Sequence, residues 1–458
     1  MSTETATDAG SFFRKIQQRF LDKRELSGRI TLGGIWLSFG GGIENGLRLV
    51  RNMILARILA PEVFGLMAII VAVNALMESF TQLGIKESVI QHPRGAEERY
   101  LNGAFWISFG RGIIIFIIAS LVAPLITGFY GAPQLTILMR VALVSVVLNG
   151  AMSPKSYVSL KDMKYDKWVL IFHGGGFIGI LVTIIISLMY PNIWALVIGY
   201  IAESASRLIM SYIITPFRPR FEFEKESLTA LFTFARNIFG LPILAFMYDR
   251  ISIFVLAKFV TAAELGMYSL AYTLVNVPYM ICGTIFAPIL LPVFATMQHD
   301  GRRFVKGVLV SSKLMAGLFL PFMTILAFGA SWLLTIVYGK AYAAVSLTFS
   351  VFCISIALRI VGTVIVNAFY AIGQPQMTRE ASLVRVITLM VIIIPLVMGF
   401  GVLGAAYASL VSSFVWLVVQ LLRLKGNVGI TVQEYMKSLS YGVLGSIVIG
   451  SLYYVLIL

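Results

Sequence analysis

Apolar residues fall in runs of about twenty along almost the whole chain, separated by short polar stretches. Thirteen runs can be marked: 30–57, 62–85, 101–125, 134–153, 168–189, 193–214, 237–257, 264–295, 308–330, 345–371, 384–400, 401–422 and 439–458. At 1.5 Å per residue, such runs match helices crossing a hydrocarbon core of about 30 Å. The alternation over about ten residues that marks barrel strands is missing. The pattern therefore predicts an all-α polytopic membrane protein. The runs meeting at 400 and 401 require a tight hairpin at Gly399, Gly401 and Gly404. Pro124, Pro242, Pro278, Pro288, Pro292, Pro321 and Pro395 are expected to kink spans or mark their ends.

Composition agrees: 59% of the 458 residues are hydrophobic and 12% charged, with a mean hydropathy of +0.89, outside the range of water-soluble domains. The formal charge of +15 is explained by topology and calls for no nucleic-acid partner. Lys and Arg alternate between loops. Twenty-six of the 36 lie in the amino-terminal segment or in every second loop. The intervening loops hold Arg57, Lys258 and Lys340. Positive charge favours the cytoplasmic side, so the amino terminus is expected there and the end of run thirteen outside. No signal peptide is expected in the first 27 residues, because a polar Ser/Thr/Glu stretch precedes any apolar run. Residues 12–24, mixing Phe12, Phe13, Phe20 and Leu21 with Arg14, Lys15 and Arg19, suit either an interfacial helix or a basic tail.

A short sequence occurs twice, 201 positions apart. Leu55-Ala56-Arg57 with Gly65 lines up with Leu256-Ala257-Lys258 with Gly266, each at a boundary between runs. Six spans separate the copies, so they share one orientation, and a parallel repeat implies two related bundles about an axis along the membrane normal. The expected organisation is a basic segment 1–29, a six-helix bundle 30–215, a cytoplasmic linker 216–236, a second six-helix bundle 237–422, and a connector with an additional helix over 423–458. The turns Pro61 to Gly65 and Ala262 to Gly266 should face each other across the outer mouth.

With Arg379 and Arg385 counted to a cytoplasmic loop, seven arginines remain after the loops are counted: Arg48, Arg51, Arg111, Arg140, Arg207, Arg250 and Arg359. Four acids join them: Glu44, Glu78, Glu203 and Asp249. Facing lipid, these groups would cost roughly 2.5–3.5 kcal/mol each, so they must face protein or water. Spacing agrees. Glu44, Arg48 and Arg51 share one helix face with Asn52 beside them, Asn74, Glu78, Thr81 and Gln82 form a second stripe, Glu203 and Arg207 are four apart, and Ser355, Arg359, Thr363 and Asn367 line a fourth. Ion pairs that only fix packing are one role for them. The surplus of arginine over acid favours a cavity for a phosphate or pyrophosphate group, which the guanidinium fork binds in bidentate fashion. The acids are candidates for pairing or for coupling to an H+ or Na+ gradient.

Gly40-Gly41-Gly42 and Gly174-Gly175-Gly176 suit close helix packing, while Tyr268, Tyr272 and Tyr279 suit a sugar path or simple packing. Cys282 and Cys353 lie inside runs as apolar fillers. His92, His173 and His299 are isolated in sequence, so no metal site or other cofactor is expected.

Asn52-Met53-Ile54-Leu55-Ala56-Arg57-Ile58-Leu59-Ala60-Pro61-Glu62-Val63-Phe64-Gly65 resembles the opening signature of bacterial Wzx-type oligosaccharide and polysaccharide flippases. Val89-Ile90-Gln91 with Asn102-Gly103-Ala104-Phe105-Trp106-Ile107 is similar to their colanic-acid and succinoglycan exporter branch, and Asp249-Arg250 with Leu265 to Ala271 matches the signature of the seventh and eighth helices. The resemblance implies the multidrug/oligosaccharidyl-lipid/polysaccharide superfamily fold. It also implies transfer of undecaprenyl-pyrophosphate-linked repeat units across the bacterial inner membrane by alternating access, for exopolysaccharide or lipopolysaccharide synthesis, with a polysaccharide polymerase and chain-length or export machinery as partners. Thirteen runs depart from the family's usual twelve or fourteen. The alternative is a small-molecule, cation-coupled antiporter of the same superfamily, but that should favour acids over arginines in its cavity. An enzyme is not expected, since the longest outer loop, near 331–344, holds no catalytic constellation.

Overall fold

Among residues 26–81, 84–222, 224–238 and 241–457, which the computed structural model describes, the elements are helices and no strand occurs. The first half contains α1 (Leu26–Ile58), α2 (Pro61–Thr81), α3 (Ile85–Gln91), α4 (Glu98–Phe129), α5 (Leu135–Ala142), α6 (Val144–Gly150), α7 (Lys155–Lys161), α8 (Tyr165–Val169), α9 (Gly175–Met189) and α10 (Ile193–Ile214). The second contains α11 (Lys225–Ile238), α12 (Leu241–Phe259), α13 (Ala262–Val275), α14 (Val277–Ile281), α15 (Ala287–Met297), α16 (Gly301–Phe328), α17 (Ala330–Val337), α18 (Ser346–Ala371), α19 (Pro375–Val428) and α20 (Val432–Ile457). Among the described residues, the apolar runs fall mainly on helix. Eight helical stretches among the described residues are long and apolar enough to cross a bilayer, or nine if the bent pair Leu135–Gly150 and Lys155–Lys161 is one span. The chain is a multi-pass membrane protein.

Local chemistry sets the element ends. α13 starts at a capping box in which the Thr261 hydroxyl accepts from the Glu264 backbone N–H and the Glu264 carboxylate accepts from the Thr261 N–H. Its repeat partner α2 starts instead with Pro61 and Glu62, whose fixed φ and negative charge suit a helix N-terminus. The long helix α19 reverses at Gly401, whose φ of 55° and ψ of −131° suit glycine. A Cβ on Gly404 would lie 1.9 Å from the Leu396 carbonyl oxygen, so the expected glycine hairpin closes as tightly as a chain can. Around Pro278 to Pro292 the helical path is broken into α14, a wider turn over Cys282–Phe286, and α15. Cys282 and Cys353 are free and buried.

The repeated turns meet. A Cβ on Gly65 would lie 1.9 Å from the Ala262 carbonyl oxygen, and one on Gly266 would lie 1.8 Å from that of Pro61. Two further contacts follow the same repeat. Arg57 Nη2 donates to the Ile336 carbonyl in the second half at 2.6 Å, and Lys258 Nζ donates to the Phe129 carbonyl in the first half at 2.7 Å. This end of the molecule is closed.

The segment expected as a linker is more ordered than a tether and docks on the first half. Phe217 and Leu231 pack with Ile85, Val89, Tyr100, Leu101 and Phe105. Trp106 Nε1 donates to the Arg220 carbonyl at 2.9 Å. Arg94 pairs with Glu97, Glu224 and Glu226 at 2.8, 2.9 and 3.0 Å. The Ser227 hydroxyl and the Arg94 guanidinium hold the Glu224 carboxyl below the usual carboxylate range. From residue 225 onward the segment is the amphipathic helix α11. The amino-terminal segment 1–25 lies outside the described residues.

Candidate functional site

Glu44 and Arg48 stand one turn apart on α1, Glu203 and Arg207 one turn apart on α10, each acid on the amino-terminal side of its arginine, the more favourable order on a helix. The two helices bring the pairs together. Arg48 Nη2 reaches Glu44 Oε1 at 2.7 Å and Glu203 Oε1 at 2.5 Å. Arg207 Nη2 reaches Glu203 Oε1 at 2.7 Å and Glu44 Oε1 at 3.4 Å. His173 Nδ1 contacts the other oxygen of Glu44, and Arg207 Nε donates to the Phe172 carbonyl at 3.1 Å. Glycine makes the room: a Cβ on Gly176 would lie 2.6 Å from Glu44 Oε1, and one on Gly179 would lie 2.5 Å from Glu203 Cβ. The glycine run therefore packs helices and seats the acids. Two arginines and two carboxylates cancel, so this cluster is an internal ion network.

Beside it, between the halves, opens a cavity lined from both halves. Its wall carries Arg48, Arg51, Asn52 and Glu203 from the first half and Tyr248, Asp249, Arg250, Tyr268 and Tyr272 from the second. Arg48 and Glu203 are committed to the network. Arg51 donates from Nη2 and Nε to Asn52 Oδ1 at 3.0 and 3.2 Å. Among the described residues, Arg51, Arg250 and Asp249 form no ion pair. Two arginines and one acid thus line the cavity outside any ion pair, beside Tyr268 and Tyr272, whose rings stack on each other.

A different arrangement occurs deeper in the second half. Arg359 lies 3.9 Å from the Tyr279 ring centroid and 5.4 Å from that of Tyr248. Arg385 lies 3.3 Å from the Tyr248 centroid and 5.1 Å from that of Trp416. The stripe predicted on α18 is satisfied mostly within itself: Asn367 donates to the Thr363 carbonyl, Thr363 to the Arg359 carbonyl, and the Ser355 hydroxyl bonds to the Ser409 carbonyl of α19. Arg385 was expected in a cytoplasmic loop. It is buried instead, because α19 begins at Pro375, well before the apolar run at 384. Only its position just inside that run could have placed it here.

The remaining predicted residues lie elsewhere. Glu78 and Arg111 line a second space of about 1230 Å3 with Asn149 and Arg207, and Asn149 Nδ2 donates to Glu78 Oε1 at 3.4 Å. Asn74 is buried and donates to the Ala142 carbonyl. Gln82 and the Thr81 side chain lie outside the described residues. Arg140 does not join the cavity: α5 turns Leu135, Leu138, Met139 and Ala142 inward, leaving Arg140 exposed with its Nε on the Ser120 carbonyl at 3.0 Å. His173, isolated in sequence, is a member of the ion network. It was missed because the wider helical turn Leu170–Gly174, which carries it just before α9, approaches α1 only in the fold.

The family model described as polysaccharide biosynthesis protein matches residues 54–347, well over half of the chain. The chain belongs to that family. Members similar to it include the succinoglycan biosynthesis transport protein ExoT of Rhizobium meliloti (strain 1021), 23% identical over 379 residues, covering 82% of this chain and 74% of the relative. The lipopolysaccharide biosynthesis protein WzxC of Escherichia coli (strain K12) is 25% identical over 333 residues, covering 72% and 67%. Among solved structures, the lipid II flippase MurJ in an inward closed conformation superposes with a TM-score of 0.72 at 12% identity, covering 92% of this chain and 99% of that one. The chain thus shares the all-α polytopic fold of that structure.

Proposed function

We propose that the protein moves undecaprenyl-pyrophosphate-linked oligosaccharide repeat units across the bacterial inner membrane, for assembly of an exopolysaccharide or lipopolysaccharide. The observation that carries this reading is that Arg51 from the first half and Arg250 from the second, neither in an ion pair among the described residues, line one cavity between the halves. A pyrophosphate would sit between them, with the oligosaccharide against Tyr268 and Tyr272. Relatives that bear the names of a succinoglycan transport protein and a lipopolysaccharide biosynthesis protein support the substrate class. The amino terminus is cytoplasmic in this scheme, the Gly65–Gly266 contact is the outer gate, and the two bundles rock about the membrane normal. Asp249, unpaired on the cavity wall, is the candidate for H+ or Na+ coupling. A cation-coupled drug antiporter fits less well, because its cavity should carry net negative charge.

The deciding experiment places lipid-linked intermediates by membrane face in a strain lacking the protein. Accumulation on the cytoplasmic face, relieved by the wild-type chain and not by an Arg51→Ala, Arg250→Ala double variant, is the expected result. Intermediates reaching the outer face without the protein would remove the flippase reading.

A further inference from the structure

Arg359 and Arg385 are 6% and 8% exposed, and neither has a carboxylate within ion-pair distance among the described residues. Buried cations are ordinarily paired, since burial strips away the water that stabilises them. Here the protein supplies ring faces instead. The Tyr248, Tyr279 and Trp416 rings take the guanidinium groups face-on, which leaves their N–H edges for other acceptors. Those edges are only partly used: Arg385 Nη2 reaches the Ser413 hydroxyl at 3.4 Å and its guanidinium also bonds to Tyr248, while Nε of both arginines has no acceptor among the described residues. Stacked planes with unfilled edges are what bidentate phosphate recognition requires.

Arg385 is also part of the wall of an open recess, with Tyr248, Asp249, Thr378, Arg379 and Ser382. The Thr378 hydroxyl, buried in that wall, has no hydrogen-bond partner either. Tyr248 and Asp249 line the central cavity as well, so the two spaces share a wall. Asp249 is the acid standing between them.

We propose that this recess is a second anion subsite, which takes the pyrophosphate group of a lipid-linked substrate before it enters the central cavity. The inference rests on the flippase reading and adds a loading station to it. Transport favours such a series, because each site can bind firmly enough to fill and weakly enough to empty. Arg379, exposed at the rim, meets the anion first. Arg385 then holds it by the edge left open over Tyr248, and Asp249 keeps it from resting on the shared wall.

The test uses the full chain in nanodiscs of zwitterionic lipid, with farnesyl pyrophosphate as the probe. The wild type should bind at two sites, and the Arg51→Gln, Arg250→Gln variant should keep one. Adding Arg379→Gln should weaken that retained site about tenfold with no change in thermal unfolding, and Arg385→Gln should abolish it. If the cavity variant binds no probe, the recess subsite is overturned while the flippase reading stands; if the wild type binds none, both fall. Competition by inorganic pyrophosphate at matched concentration would support recognition through the pyrophosphate itself. Loss of the retained site when phosphatidylglycerol is included would assign the recess to a phospholipid headgroup and overturn the proposal.

Discussion

In the first half, Arg48 and Arg207 are held between Glu44 and Glu203, whereas in the second half Arg359 and Arg385 lie against Tyr248, Tyr279 and Trp416. Both arrangements keep guanidinium groups at membrane depth, by different means. Carboxylates use the N–H edges and cancel the charge, so the cluster has little left to offer a ligand. Aromatic faces stabilise the charge without cancelling it and leave the edges open. How a membrane arginine is compensated therefore separates a structural role from a binding role more clearly than its depth or its helix does.

The largest expected effect sets the two regions directly against each other. Glu203→Gln leaves Arg48 and Arg207 short of one carboxylate, and breaking a buried pair costs about 3–5 kcal/mol. The purified variant should unfold at a markedly lower temperature than the wild type. Arg385→Gln removes an uncancelled buried charge and should leave thermal stability unchanged or higher. Equal losses in both variants would end the distinction. The next effect concerns transport: Arg51→Ala with Arg250→Ala should slow flipping in proteoliposomes by a factor of ten or more, about 1.4 kcal/mol or above, at wild-type abundance. Lysine at both positions should recover only part of the rate, since it lacks the planar fork.

Coupling sharpens the comparison further. Glu203 is saturated by two arginines while Asp249 is not paired, so Asp249→Asn should abolish the response of flipping to an imposed pH or sodium gradient without altering stability. A wild type indifferent to every gradient would leave Asp249 no coupling role. The smallest effect lies outside the membrane at Glu224. Its carboxyl is held below its unfolded range, so its contribution to docking of the connector is present above that range and is lost as pH falls through the lowered value. Proteolysis within residues 216–224 should therefore speed up only as pH falls below the ordinary carboxylate range, and Glu224→Gln should remove that acceleration.

The helical architecture was legible because burial in lipid imposes a length on every span and glycine imposes a turn at Gly401. The repeated turn was legible because close backbone approach admits only Gly65 and Gly266. Pairs within one helix, Glu44 with Arg48 and Glu203 with Arg207, follow from spacing. Their union, and the arrival of His173, depends on which helices become neighbours, and no period in the sequence records that. Arg385 was misplaced for a related reason: positive charge near the start of a run resembles a loop signal, and only the rings from α12 and α19 reveal what holds it. The segment 216–236 was read from its charges as a cytoplasmic connector, and two of those charges, Glu224 and Glu226, fasten it through Arg94 to the first half.

The closed end has the form of a contact that two identical subunits would make across a twofold axis: Arg57 reaches into the other half as Lys258 reaches back, and Gly65 meets the turn that Gly266 completes. In a true dimer any substitution would occur on both sides at once. Within one chain the two sides change separately, and they already have, since Lys258 also sits 4.3 Å from the centre of the Phe129 ring while Arg57 rests on a carbonyl. The latch can thus be tuned one side at a time, and the ease with which the mouth opens can be set in increments finer than a symmetric assembly allows.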